Sequence, residues 1–274
     1  MSFIIPMVKD WLPPALVRAV RQLRGKGIRF EGNYKTWEDA AARCTGYDAE
    51  LILDKVLEST LKVKRGEAVF ERDSVLFDEI QYSWPVTAAL MWAAARNNGN
   101  LHVMDFGGSL GSSYFQNKNF LSQLKVVTWN VVEQAHFVGK GKVFFENDVL
   151  KFHKSIEDSL NTISPNAILI SSVAQYLSSP KWLFDQINSI EADILIFDRT
   201  PFTDASENAI CIQHVPSDIY KASYPMWLLS RNKLLSQLTN WKVHERFAGP
   251  EGGVVSEAGM EFDFSGYIFE RGNA

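Results

Sequence analysis

The chain has 274 residues, enough for one large α/β domain with an N-terminal addition or for two small domains. Hydrophobic residues make up 46% and charged ones 22%, a soluble-globular balance, and a net charge of −4 argues against a broad nucleic-acid footprint. Cys44 and Cys211 stand far apart in no metal-like spacing. Neither a disulfide framework nor a metal site is expected, and a reducing cytoplasm is the expected compartment.

Residues 1–27 are basic and amphipathic. Trp11, Leu12, Ala15, Leu16, Ala19, Val20 and Leu23 recur at helical spacing, while Arg18, Arg21, Arg24 and Lys26 supply positive charge. A helix packed on the body of the protein is the commoner role for such a segment, and a peripheral membrane contact is the other. No run reaches the ~18 apolar residues of a membrane span, and the apolar start lacks the basic flank of a secretory signal.

Residues 28–100 read as mainly helical. Thr36 is placed to cap "WEDAAA", with Glu38 and Asp39 in the first turn, and Asp48 to cap "AELILDKVLESTLKVK". A third helix is predicted over residues 85–96, ending at Asn97-Asn98-Gly99.

From residue 101 onward, short apolar runs alternate with helix-length stretches. The runs are "LHVMDF", "VVTWNVVE", "KVFFEND", "AILISS" and "DILIFD", which read as buried parallel strands. "WKVHERF" and "EFDFSGYIFERG" then follow with no long helix between them. The expectation is an α/β, Rossmann-like class I methyltransferase sheet with a C-terminal antiparallel hairpin, preceded by a mainly helical extension. Its segments would be residues 1–27, 28–100 and 101–274.

"VMDFGGSLGSS" follows the first of these strands. Gly107, Gly108 and Gly111 permit a sharp turn and a close approach to a ligand, and the helix start beyond them presents free N–H groups. The spacing Asp105-x-Gly107-x-Ser109-x-Gly111 matches the acidic-x-Gly-x-Gly-x-Gly loop of S-adenosylmethionine (SAM) enzymes, with Ser109 in place of the middle glycine. It fits G-x-G-x-x-G less well, because position 106 is Phe. Glu133 ends the second strand, where a carboxylate accepts from ribose hydroxyls, and Asp148 is read as following the third, beside an adenine. Taken singly, each is also a plain strand-end acid.

In "SSVAQYLSSP", Ser171 and Ser172 are placed at the cofactor and Gln175 and Tyr176 at the acceptor, against a helix-cap role for the two serines. Asp198 and Arg199 in "IFDRTPF" are candidates for proton transfer and for holding an anionic acceptor group; an internal ion pair is the competing role. His214 is a second candidate base. Tyr220 and Tyr224 follow in a stretch read as an ordered loop that closes over the acceptor, because Pro216 and Pro225 break any helix.

Beyond the loop, the chain resembles a bacterial family of SAM-dependent methyltransferases associated with cell-surface polysaccharide biosynthesis. "FEGNYKTWEDAAARCTGYD", "FERDSVLFDEIQYSWP", "DFGGSLGSSYFQ", "WNVVEQ", "ILISSVAQYL", "FDRTPF" and "IYKASYPMW" carry the likeness, which runs from Phe30 over nearly the whole chain. The resemblance implies the methyltransferase fold, SAM as cofactor at Asp105, Gly107, Gly108 and Gly111, and Glu133 at its ribose. It also implies a small or saccharide-related acceptor. The competing functions are an NAD or nucleotide-sugar enzyme and a non-catalytic scaffold that keeps the fold. Arg72 and Asp73 in "FERDSVLF" either cover the pocket or pair with each other.

Overall fold

A computed structural model of the chain describes residues 28–45, 49–216 and 222–272. The amphipathic segment 1–27, Asp48 and Tyr220 lie outside the described residues.

The N-terminal part contributes β1 (Arg29–Tyr34), α1 (Trp37–Ala41), α2 (Ala49–Arg65), the hairpin of β2 (Phe70–Arg72) and β3 (Val75–Phe77), and α3 (Trp84–Arg96). Thr36 does cap α1, its Oγ1 accepting from the Asp39 N–H at 3.1 Å. α3 takes Pro85 in its first turn, where a missing N–H costs nothing, and stops at Asn97. The α/β series follows: β4 (Asn100–Phe106), α4 (Ser112–Leu121), β5 (Val126–Val132), α5 (Ala135–Phe144), β6 (Leu150–His153), α6 (Ile156–Leu160) and β7 (Ala167–Ser171). It continues through a 3-10 turn (Ala174–Tyr176), α7 (Pro180–Ser189), β8 (Ile194–Thr203), β9 (Ala209–Val215), β10 (Ala222–Ser230) and α8 (Arg231–Gln237). β11 (Trp241–Val255) and β12 (Glu261–Arg271) end it.

The parallel strands lie in the order β6-β5-β4-β7-β8, and β12 then pairs antiparallel with both β8 and β11. This is the class I methyltransferase arrangement, in which the last strand is reversed and inserted beside its predecessor. Side chains alternate across the sheet, as the period of a strand requires. Val103, Leu169, Ile194 and Ile196 pack under α2, α3, α4 and α5, whereas Met104, Ile168, Leu195 and Phe197 pack under α6, α7 and α8. Ile52, Val56, Val86 and Leu90 belong to the same core as Leu101 and Val103, so residues on both sides of position 100 share one packing unit.

Two expectations are corrected. "KVFFEND" is not the third strand: α5 runs through Val143 and Phe144, both exposed, and the strand is the four-residue "LKFH" of β6. Short apolar runs do not distinguish a strand from a helix end, and Phe137, Val138 and Gly141 already carried the helical period. The stretch after β8 is not a loop either. β9 and β10 form an antiparallel pair that β1 extends, so region 28–100 supplies strands to the sheet as well as helices. No helix among the described residues is long and apolar enough to cross a membrane.

Candidate active site

β8 changes partners midway. It pairs with β7 up to Ser171 opposite Asp198, then Phe202 and Thr203 pair with Leu229 and Ser230 of β10. Arg199 sits at the changeover with φ of 46°, a left-handed conformation that costs a non-glycine residue free energy and collects at functional sites. On the other edge, β12 slips register between Ser265 and Tyr267. Gly266 occupies the slip, where a Cβ would overlap the Phe247 ring and the Phe197 carbonyl. The kink leaves Asp198 and Arg199 at the carboxyl edge of the sheet. Asp198, 6% exposed, accepts from Ser171 Oγ at 2.8 Å and from Ser83 Oγ at 3.2 Å. Arg199 Nε lies 3.5 Å from Asp198, and its Nη1 reaches Asp73 at 3.2 Å. Asp73 and Arg72 therefore do not pair with each other; Arg72 donates to Gln81 Oε1.

The glycine loop occupies the same edge. Asp105, at the end of β4, is 1% exposed and accepts from the Trp129 indole N–H at 2.9 Å, while its Oδ1 has no partner. Burial pushes its carboxyl up to about 7. Gly107, Ser109 and Gly111 all have positive φ, at 72°, 54° and 93°, so Ser109 adopts the backbone natural to the glycine it replaces. A Cβ at Gly107 would overlap Val173, and one at Gly108 would overlap the Asp105 carboxylate. These two glycines thus answer to packing beneath the loop, not to ligand approach alone. Glu133 accepts from the N–H groups of Gln134 and Ser109, yet burial outweighs both bonds and raises its pKa. Gly111 caps α4 without a side-chain bond, leaving the helix start open to a ligand.

A cavity of about 320 Å³ opens beside this edge. Ser171, Asp198 and Arg199 line it from the sheet edge, Ser112 and Gln116 from α4, and Phe70, Glu71 and Arg72 from β2 of the hairpin. Sequence reasoning missed Glu71, Ser83 and Ser112 here. Glu71 is 2% exposed, accepts from Ser112 Oγ, and has an Oε2 without a partner; burial raises its pKa. The available signal was weak: Asp73 and Ser74, both at positive φ, form the tight turn that marks a hairpin between "FER" and "VLF".

The remaining candidates lie elsewhere. Ser172 donates its N–H to the Asp198 carbonyl and takes a bond from Gln175 on its hydroxyl, so neither serine is a helix cap. Gln175 is fully buried inside the turn and does not line the cavity. Tyr176 donates to Gln213 and stands edge-to-face with Tyr224 at 5.1 Å, which joins the turn to the β9–β10 pair. His214 Nε2 lies 2.7 Å from Glu31, linking β9 to β1, and is not among the cavity residues. Asp148 precedes β6 and is exposed on the opposite edge, because the strand begins at Leu150, beyond the run read as the strand. His153 takes the carboxyl end of β6, and its carbonyl accepts the Glu133 N–H.

No family model and no curated protein matches the chain. Solved structures similar in architecture include the N-terminal domain of EvdMO1 in the presence of SAH (S-adenosylhomocysteine) and D-fucose. It is 13% identical with a TM-score of 0.48, over 83% of this chain and 98% of that one. A SAM-dependent methyltransferase from Clostridium acetobutylicum is 11% identical with a TM-score of 0.45, over 80% and 99%. SAM-bound CalS10, an amino pentose methyltransferase from Micromonospora echinaspora, is 9% identical with a TM-score of 0.43, over 70% and 93%. Scores of this size carry no argument about reaction or ligand; the class I methyltransferase fold of this chain rests on its own strand order and register.

Proposed function

We propose that the chain is a SAM-dependent methyltransferase acting on a small acceptor. The observation that supports this reading best is a pair of carboxyl groups whose pKa burial raises, the buried Asp105 near the end of β4 and the half-buried Glu133 just past the end of β5, bracketing an uncapped glycine loop. Two acids there suit a nucleoside joined to a cationic sulfonium and disfavour a pyrophosphate. Asp105 Oδ1, buried and unpartnered, is an acceptor waiting for a donor from that side.

When bound, SAM supplies an electrophilic methyl group. Glu133 receives the ribose hydroxyls, and the loop at residues 107–111 carries the nucleoside. The cavity beside it holds the acceptor and limits its access to water. Ser171 and Ser83 orient Asp198, and Asp198 with Asp73 orients Arg199, whose guanidinium holds a polar or anionic acceptor group. A saccharide-related acceptor and a role in cell-surface polysaccharide biosynthesis are the finer parts of the proposal and rest on the sequence resemblance.

Calorimetry of the full chain with SAM, SAH, NAD and a nucleotide sugar tests it. Binding of SAM or SAH alone is the expected result. Preferential binding of NAD or the sugar nucleotide would overturn it.

A further inference from the structure

Among the polar groups around the cavity, one carboxylate oxygen is left without a donor. Asp198 has Ser83 and Ser171, and Arg199 has Asp73 and Asp198. Glu71 has Ser112 on Oε1 and the Ser74 N–H close to its carboxyl group, yet Oε2 makes no hydrogen bond, although the residue is 2% exposed and faces the cavity. An orphaned buried carboxylate oxygen is costly, and a bound cation with N–H donors removes the cost.

Its position narrows the choice of cation. Glu71 leans on Ser112, the first residue of α4 and the first beyond the glycine loop. Glu133 flanks that loop on the β5 side. Glu71 meets Ser112, just past the end of the loop, and shares the cavity with Asp198 and Arg199. A nucleoside cofactor with its ribose at Glu133 therefore presents its far end towards Glu71, and in SAM that end is an amino acid carrying an ammonium.

We infer that Glu71, supplied by the β2–β3 hairpin, is the ligand for the α-ammonium of the cofactor's amino-acid end. The inference rests on the proposed SAM reading. The hairpin is then a wall of the cofactor site, not a neighbouring ornament of the fold. Burial raises the Glu71 pKa, which a bound ammonium counteracts by favouring the carboxylate. Ser112 keeps the carboxylate aimed from the start of α4, where the helix dipole also favours a negative charge.

The test compares two probes on the full chain, SAH and 5′-methylthioadenosine, which lacks the amino-acid end. Glu71→Gln keeps the shape and an acceptor for Ser112 but removes the charge. The expected result is SAH binding weakened roughly tenfold or more, with 5′-methylthioadenosine affinity held within about twofold. Retained affinity for the second probe shows at the same time that the variant is folded. Unchanged SAH affinity, or an equal loss of both probes, overturns the inference while the SAM reading stands. Wild-type protein that binds neither probe removes the SAM reading and this inference with it.

Discussion

Ser171 Oγ donates to Asp198 Oδ2 at 2.8 Å, tying the last residue of β7 to the residue where β8 parts from it. The bond closes the gap that the Arg199 kink opens between the two strands. It also uses one of the Asp198 oxygens, and Ser83 uses the other. Asp198 is thereby better equipped to hold Arg199 and Ser171 than to take a proton.

Asp198→Asn is predicted to spare SAH affinity and to lower stability by about 1–3 kcal/mol, since a nearly buried charge partner of Arg199 is lost while one acceptor oxygen remains. Calorimetry and urea unfolding read the two effects separately. A stable variant with lost SAH affinity would place Asp198 on the cofactor.

Gly107→Ala should destabilise by at least about 2 kcal/mol, combining left-handed strain with overlap on Val173. Val173→Ala removes the two Cγ contacts but leaves the Cβ contact and the strain, so the double variant should recover part of the loss, about 1 kcal/mol relative to additivity. Strict additivity in a thermal or urea cycle would show that Val173 is not the obstacle.

Ser109→Gly tests the loop backbone without touching its packing. At φ of 54° the glycine relieves strain that Val at the same position would worsen. Glycine is expected to change stability by less than about 1 kcal/mol and to leave SAH affinity intact, and valine to cost about 1–3 kcal/mol. Equal tolerance of the two in unfolding measurements would contradict the left-handed loop.

Asp105 predicts a pH dependence. Its folded pKa is raised from 3.8 to about 7 by burial, so the folded state holds more protons than the unfolded state between those values. The stabilisation this gives is complete below the lower pKa and is lost as pH rises through the higher one. Asp105→Asn cannot ionise, so relative to wild type it should gain roughly 1–3 kcal/mol between about pH 4.5 and pH 7.5. A constant difference across that range would falsify the raised pKa.

His214→Ala should leave SAH affinity and turnover unchanged. The ring's link to Glu31 is partly exposed, and its loss should cost no more than about 1 kcal/mol. Turnover reduced a hundredfold would return the histidine to the catalytic group.

Sequence alone determined the elements whose cause is local. The βα alternation, the Thr36 cap, the stop at Asn97, the glycine loop after β4 and the closing antiparallel strands were all legible. Periodicity, capping and turn chemistry act over a few residues, and the parallel strands are long enough to show them. Where the local signal was short it misled: four residues suffice for β6, and the apolar run before it belonged to a helix end, which moved Asp148 to the wrong edge. Tertiary structure decided what depends on partners remote in the chain. Nothing near position 199 announces that β8 exchanges β7 for β10, because the exchange arises from how two strands remote from each other in the chain compete for one edge. Nothing in "FER" marks Glu71 as buried, because its burial and its orphaned oxygen come from α4, folded against it from 41 residues away. His214 likewise finds Glu31 across 183 residues, a pairing set by sheet register alone.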